Sequence, residues 1–546
     1  MTELGFLVSF FASREDAFNA RRQLRRRGFG HVAVILRPPA GRPRIHNVGP
    51  IQKVLLGLAG GLAMGALVGL LIVALGRIIS RVQLPFTIEF SMLIGALAGL
   101  LLAPRIQLGI SSHLVEQLKH WMLADETVVV IEGEPGSLGL ALPILRQISE
   151  DQPAVFPFHP KHTYETDSLE AIQQEVLTGA QFQKHALLIA SEHHTVVKPR
   201  AGEPLLARAD KCEREIDRIR RDLDTALRLE LGVSPSAEWI LDNGYIIQGH
   251  IDDVRLNLPR RFYHELPLLD TLDQVGTDGA SAEAEPRAYK LASEMVLHTD
   301  GRLDRSNITE FLETYQSVEQ LSIGELWAMP IMLRIALIDR IRILGEQVAL
   351  RLRQREQGDF WAHRLVSTVR RDPNQLFSML AALAQEQPDP SPYFAVQFTS
   401  LLYDEEAALI PARSWLERVL DSPLAELVPR QQARQAANQV SMGNAVTSLR
   451  QLALLDWREV FEQLSRVESV LRGDPTGDYR LMDFETRDRY RHAVEEIARG
   501  AHTSQENVAQ AALRLAANQG RQETRDPRAA HVGTYLIGPG RQQLVK

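Results

Sequence analysis

The sequence predicts a mainly α-helical protein that opens with a small α+β domain. Three observations predict it. Short apolar runs alternate with amphipathic ones through the first 160 residues. Inside that region lies 54–76, a run of 23 residues without one charged side chain. From 167 onward, apolar residues recur at steps of three and four, the period of a helix with one buried face.

The first elements follow from these patterns. GFLVSFF (5–11) reads as a strand. Residues 13–27 read as a helix, opened by Ser13-x-x-Asp16, whose side chains can satisfy free backbone N–H groups. HVAVILR (31–37) is a second strand. After the intervening apolar region come a helix at 111–123, a strand at ETVVVIE (126–132), a helix at 138–148 and a short strand at 154–158. Strand–helix–strand followed by helix–strand–helix–strand suggests a ferredoxin-like fold of about 100 residues.

The interruption, 53–105, reads as a two-helix transmembrane hairpin. The 54–76 run reaches about 35 Å as a helix, enough to cross a bilayer core. A second run, 86–103, carries Glu89 near its start. Gly57, Gly61, Gly65 and Gly69 step by four, as do Gly95 and Gly99, which lets two membrane helices approach closely. Arg37, Arg42, Arg44 and Lys53 precede the hairpin, and Arg105 and Lys119 follow it. Only Arg77 and Arg81 lie in the turn. The positive-inside rule therefore places both flanks in the cytoplasm, with the anchor in the inner (cytoplasmic) membrane.

The helical remainder reads as two blocks. Leu206, Ala209, Cys212, Ile216, Ile219, Leu223 and Leu227 make one apolar stripe. A helix over 236–258 carries Asn243 and His250 on an otherwise apolar face. A long helix over 323–357 contains Pro330 and ends in the charged RLRQREQG. The spacer EQPDPSPY (386–393) punctuates the second block, in which helices are expected at 394–403, 412–420, 424–439, 440–470, 484–499 and 503–517. The expected domains are 1–52 with 106–160 for the split α+β domain, 53–105 for the hairpin, 167–357 and 371–518 for the helical domains, and 519–546 for a polar tail.

Composition narrows the function. The net charge of −7 argues against a nucleic-acid partner, which usually selects a basic chain. The single cysteine, Cys212, allows no intramolecular disulfide and reads as a small core residue. No nucleophile elbow, phosphate loop, dinucleotide fingerprint or His-Glu-x-x-His motif occurs, so no catalytic, cofactor-binding or metal residue is assigned. Two weaker groupings remain. Asn243, His250, His298 and Asp300 are candidates for a polar pocket, against the plainer expectation of buried hydrogen bonds between helices. Trp239, Tyr245, Tyr315 and Trp327 are candidate carbohydrate-contacting aromatics, against ordinary packing. HTDGRLDRSN (298–307) lacks the glycine and the terminal acid of a calcium loop and reads as a turn with a helix cap.

Several phrases resemble the N-terminal region of cyclic β-1,2-glucan synthases. They are SAEWILDNGYIIQGHIDDVRLNLPRRFYHELPLL (236–269), VLHTDGRLD (296–304), LSIGELWAMPIMLRIALI (321–338), SMGNAVTSLRQLALLDWREVFEQLSRVE (441–468), MDFETRDRYRHAVEEIAR (482–499) and DPRAAHVGTYLIGPGR (526–541). The resemblance covers about 168–541 and leaves the first 160 residues as a departure. It implies an inner-membrane machine in which a multi-helix membrane segment, a UDP-glucose-dependent glycosyltransferase domain and a phosphorylase-like domain follow this helical region. Neither the transferase Asp-x-Asp motif nor Gln-x-x-Arg-Trp is read here; QQARQAAN (431–438) does not supply the latter. The expectation is a membrane-tethered, non-catalytic scaffold or regulatory region of such a synthase, truncated or split. Its partners would be a glycosyltransferase-bearing chain and β-1,2-glucan. The alternatives are a glucan-binding module or a stand-alone carbohydrate-active enzyme.

Overall fold

Five short strands form one antiparallel sheet near the N-terminus. They are β1 (Gly5–Phe11), β2 (Val32–Leu36), β3 (Arg44–His46), β4 (Thr127–Gly133) and β5 (Ala154–Phe156), in the order β3-β2-β4-β1-β5. In the central pairing Val8 lies opposite Val130, and Ala33 faces Val130 from the other side. The computed structural model describes residues 5–37, 44–46, 59–60, 62–68, 70, 92–94, 118, 121–123, 125–149, 153–156, 176–193, 195–196, 204–229, 231–269, 285–403, 406–520 and 527–545. The chain forms two compact units, neither continuous in sequence. One comprises Met1–Thr163, Asp224–Val233 and Leu350–Ala433; the other comprises Tyr164–Leu223, Ser234–Ala349 and Arg434–Lys546. The sequence suggested consecutive blocks; the observed division cuts across them.

In the first unit both faces of the sheet are covered. Leu7, Phe11, Val32, Val34, Val129 and Ile131 face the helices Arg14–Arg26 and Pro135–Ile148. Ser13 caps the first of these helices, accepting from the backbone of Glu15 and Asp16. Val8, Phe10, Ala33, Ile35, Val128 and Val130 face the other way, onto Phe360, Trp361, Leu365 and the helices after them. The residues alternate strictly between the two cores because successive side chains on a strand point to opposite faces. Each fully buried Val or Phe contributes about 1.5–3 kcal/mol. The helical segment 350–433 is thus the second cover of the sheet.

The 49-residue helix Ile323–Arg371 runs past the end expected at 357. RLRQREQG is not a solvated end. Arg351 lies over the Tyr393 ring, 4.6 Å from its centroid. Gly358 is a point of close approach: a Cβ there would lie 3.1 Å from the backbone N of Phe398 and 3.2 Å from the carbonyl O of Phe394. The expected 236–258 helix is instead two, Pro235–Asp242 and Gly244–Asn257, because Asn243 takes a non-helical conformation between them. Conversely, 424–454 is one helix, Leu424–Leu454, and the break comes where Asp456 and Ser465 cap the next two helices, Trp457–Leu464 and Arg466–Leu471.

In the second unit, the stripe on helix Pro204–Arg228 buries Ala209, Cys212, Ile216, Ile219 and Leu223. At the end of the helix, in the first unit, Leu227 is exposed and Ala226 is buried instead. The C-terminal residues expected to be a polar tail are packed within the second unit. Val532, Tyr535 and Leu536 are buried, His531 Nδ1 lies 2.8 Å from Asp474 Oδ2, and the Val532 N–H donates to Asp474 Oδ1 at 2.8 Å. The Gly-rich turns allow short helices, Gly533–Leu536 and Arg541–Val545, to fold back.

The expected hairpin 53–105 lies outside the described residues except for 59–60, 62–68, 70 and 92–94, all of which are helical. Among the described residues no helix is long and apolar enough to cross a membrane. Of the proposed glycine ridge only Gly65 is described, and it is buried; Gly57, Gly61, Gly69, Gly95 and Gly99 lie outside the described residues. Met64, Leu67, Val68, Leu70, Leu93 and Ile94 are exposed apolar side chains.

Candidate functional site

Two of the polar groups singled out in the sequence, Asn243 and Asp300, meet the part of helix Leu424–Leu454 that lies in the second unit, but not as one pocket. Asn438, Ser441, Ser448 and Arg450 punctuate the C-terminal half of Leu424–Leu454, and each is matched. Asn438 donates to Gln347, Ser441 to the Asp300 carboxylate, and Arg450 to the Asn243 side-chain oxygen. The Ser448 hydroxyl accepts from the Leu303 N–H at 2.8 Å. Asn243 completes its bonding by donating to the Trp239 carbonyl at 2.8 Å.

Asp300 sits in a tight turn. It and the next residue take left-handed conformations, φ 53° at Asp300 and φ 73° at Gly301. A Cβ on Gly301 would lie 3.3 Å from the Ala445 Cβ, so the turn presses against the helix. Asn444 donates to the Asp300 carbonyl at 3.2 Å, and Arg340 lies 3.5 Å from the carboxylate. Asp304 then caps the helix Arg305–Gln316, in a capping box with Asn307. The segment is a turn with a cap, as its spacing suggests.

His250 is buried, and Arg334 donates to its Nδ1 at 3.2 Å. Burial, then the Arg334 charge, lowers its pKa from the ordinary histidine value, so it is neutral at pH 7. His298 belongs elsewhere: its Nε2 is 3.3 Å from Glu294 Oε2, one turn back on the same helix. The four candidates therefore divide: Asn243, His250 and Asp300 each make separate ties to neighbouring helices, while His298 lies in another cluster.

A fully buried acid of this unit is also saturated. Glu468 receives Tyr479 Oη at 2.7 Å, Arg491 Nη1 at 2.8 Å, Arg472 Nε at 2.9 Å and Arg487 Nη1 at 3.0 Å. Burial would raise its pKa, but the hydrogen bonds from Tyr479, Arg472 and Arg491 overcome this and hold it below the ordinary value. An acid fixed in its ionised form by four donors is a structural node, poorly suited to exchange protons with a substrate.

No family model matches the chain. Over 348 residues it is 30% identical to the cyclic beta-(1,2)-glucan synthase NdvB of Rhizobium meliloti (strain 1021). The match takes in 62% of this chain and 12% of that relative. The similarity supports a relation to that family. The chain covers far less than two thirds of the relative's length.

An Asp-x-Asp string does occur, contrary to the reading of the sequence, at Asp222-Leu223-Asp224. It lies inside helix Pro204–Arg228, where residues two apart point to different sides, and Asp224 accepts from Arg228 at 2.9 Å. Its two carboxylates are not placed to share a metal. The four aromatics also separate. Tyr315 is fully buried, with its hydroxyl 3.0 Å from His193 Nδ1, and offers no surface to a glucan. Trp327 stacks on Phe461 at 4.6 Å between ring centroids. Trp239 is half-buried, with Gly443 against its ring. Tyr245 is 74% exposed.

Proposed function

We propose that this chain is a non-catalytic scaffold or regulatory region acting in cyclic β-1,2-glucan synthesis, held at the cytoplasmic face of a membrane. The observation that carries the proposal is the 348-residue similarity to a cyclic β-(1,2)-glucan synthase. The saturated polar groups support the non-catalytic part: the acids and amides along Leu424–Leu454 and around Glu468 hold helices together. The uncharged run at 54–76 and the exposed apolar side chains at Met64, Leu67, Val68, Leu70, Leu93 and Ile94 support the membrane part.

The sheet order supports reading the N-terminal region as a ferredoxin-like domain. Without the edge strand β3, the order is β2-β4-β1-β5 with a helix in each half. On this reading the hairpin is inserted between the two halves of that domain. The partner is a chain bearing a UDP-glucose-dependent glycosyltransferase domain. Affinity purification of the full chain from its native membranes tests this. The expected eluate converts UDP-glucose to β-1,2-glucan and contains a transferase-bearing chain; an eluate without either rejects the partnership.

A further inference from the structure

We propose that His185, Glu294 and His298 form a binding site for one divalent transition-metal ion of the zinc class. The site lies within the second unit and is independent of the proposed role in glucan synthesis. His185 comes from the helix Gly179–Glu192; Glu294 and His298 are one turn apart on Arg287–His298. Glu294 Oε2 is 2.9 Å from His185 Nε2 and 3.3 Å from His298 Nε2. The three donor atoms all lie within 4.8 Å of one another. An ion bound tetrahedrally at about 2.0–2.1 Å requires donors about 3.3 Å apart, so the ligands need little rearrangement.

The donor chemistry selects the ion. Two imidazole nitrogens and one carboxylate oxygen suit Zn2+, Co2+ or Ni2+, whereas Ca2+ and Mg2+ favour all-oxygen sites. Each ring would offer the lone pair of Nε2, with its proton on Nδ1. Three protein ligands leave a fourth position for water or another small ligand. Lys290 Nζ lies 2.8 Å from Glu294 Oε1, which leaves Oε2 for the ion and fixes the orientation of the carboxylate. The same ammonium repels a cation, so the site should bind less tightly than one without it.

Both helices are held before any ion arrives. Phe182, one turn before His185, packs on Phe311 at 4.6 Å between centroids. The Leu177 N–H donates to the His298 carbonyl at 2.9 Å. The two imidazole rings already lie 4.2 Å apart between centroids. Histidine and glutamate side chains so positioned meet the demand for a prepared ligand set.

The test is a titration of the full chain, stripped by chelator, with ZnCl2 followed by calorimetry and with CoCl2 followed by visible absorption. One equivalent should bind saturably, and bound Co2+ should show the intensified visible bands of a four-coordinate ion. His185→Ala, His298→Ala and Glu294→Gln should each weaken binding by about 100-fold, at least the loss caused by removing an outer-shell partner. His492→Ala, at an exposed position on another helix, should change nothing. Circular dichroism identifies variants that fold, and the near-isosteric Glu294→Gln and the wild-type Co2+ spectrum keep the test decisive if an alanine variant does not. Absence of saturable one-equivalent binding, a purely octahedral Co2+ spectrum, or unchanged binding in the folded variants overturns the site.

Discussion

Arg364 and Glu126 are 238 positions apart in the chain, and their side chains meet fully buried beneath the sheet. Arg364 Nη1 donates to Glu126 Oε1 at 2.7 Å, and its Nη2 reaches Oε2 of the same carboxylate. The same guanidinium donates to the Trp121 carbonyl and lies 4.2 Å from the centroid of Phe10. Arg371 adds a bond to Glu126 Oε1 at 2.8 Å. This cluster joins the segment that leads into β4 to the long helix. Arg364→Ala leaves a buried carboxylate with less compensation and should cost about 3–5 kcal/mol of stability. Urea denaturation of the full chain, followed through the transition of the first unit, checks it.

Gly358 marks a second dependence within the same unit. Gly358→Val would press a branched side chain against the backbone at Phe394 and Phe398. A loss of about 1–3 kcal/mol is expected, although valine is the better helix former. A gain in stability measured by thermal unfolding would show that the neighbouring helix moves aside.

How much of this was legible in the sequence varies by element. The strands were, because GFLVSFF, HVAVILR and ETVVVIE are short apolar runs rich in aromatic or β-branched residues. They are also apolar on both faces, the mark of a sheet covered twice. That signal pointed to the second cover; it could not name residues 360–427, since pairing across more than 200 positions leaves no local pattern. Gly358 at the end of a charged run resembled a helix stop, and only tertiary packing shows it to be a crossing point. Asn243 was read as a polar residue on the apolar face of one helix; it lies instead between two helices, with its side chain bonded back to the Trp239 carbonyl. His185 was not singled out. The Glu294-x-x-x-His298 spacing was a usable signal, whereas a third ligand from another helix was not.

Stability should depend on pH through Glu356. Burial, helped by the Asp359 charge, pushes its carboxyl up to about 7 from the ordinary 4.5, against Arg355 and Arg146. Between pH 4.5 and 7 the folded state holds a proton that the unfolded state has lost. Its contribution to stability therefore falls as pH rises through that window and is flat above it. Glu356→Gln should stabilise the protein by on the order of 2 kcal/mol at pH 8 and change little at pH 4. Denaturation midpoints of the two proteins at both pH values provide the comparison.

Deleting 53–105 should shift the chain from the membrane pellet to the soluble fraction if that span is the anchor. The flanking halves still carry β1, β2, β4 and β5, so a short polar linker in its place should leave the sheet intact. Retention of the folded deletion variant in the pellet would require another attachment.

The central claim is that the chain serves glucan synthesis without performing it. The direct measurement is formation of labelled β-1,2-glucan from labelled UDP-glucose, in membranes from cells with and without this chain and by the purified full chain alone. The account predicts no product from the chain alone, and glucan that falls when the chain is removed and returns when it is restored. Glucan made by the chain alone, or a yield unchanged by its removal, would contradict it.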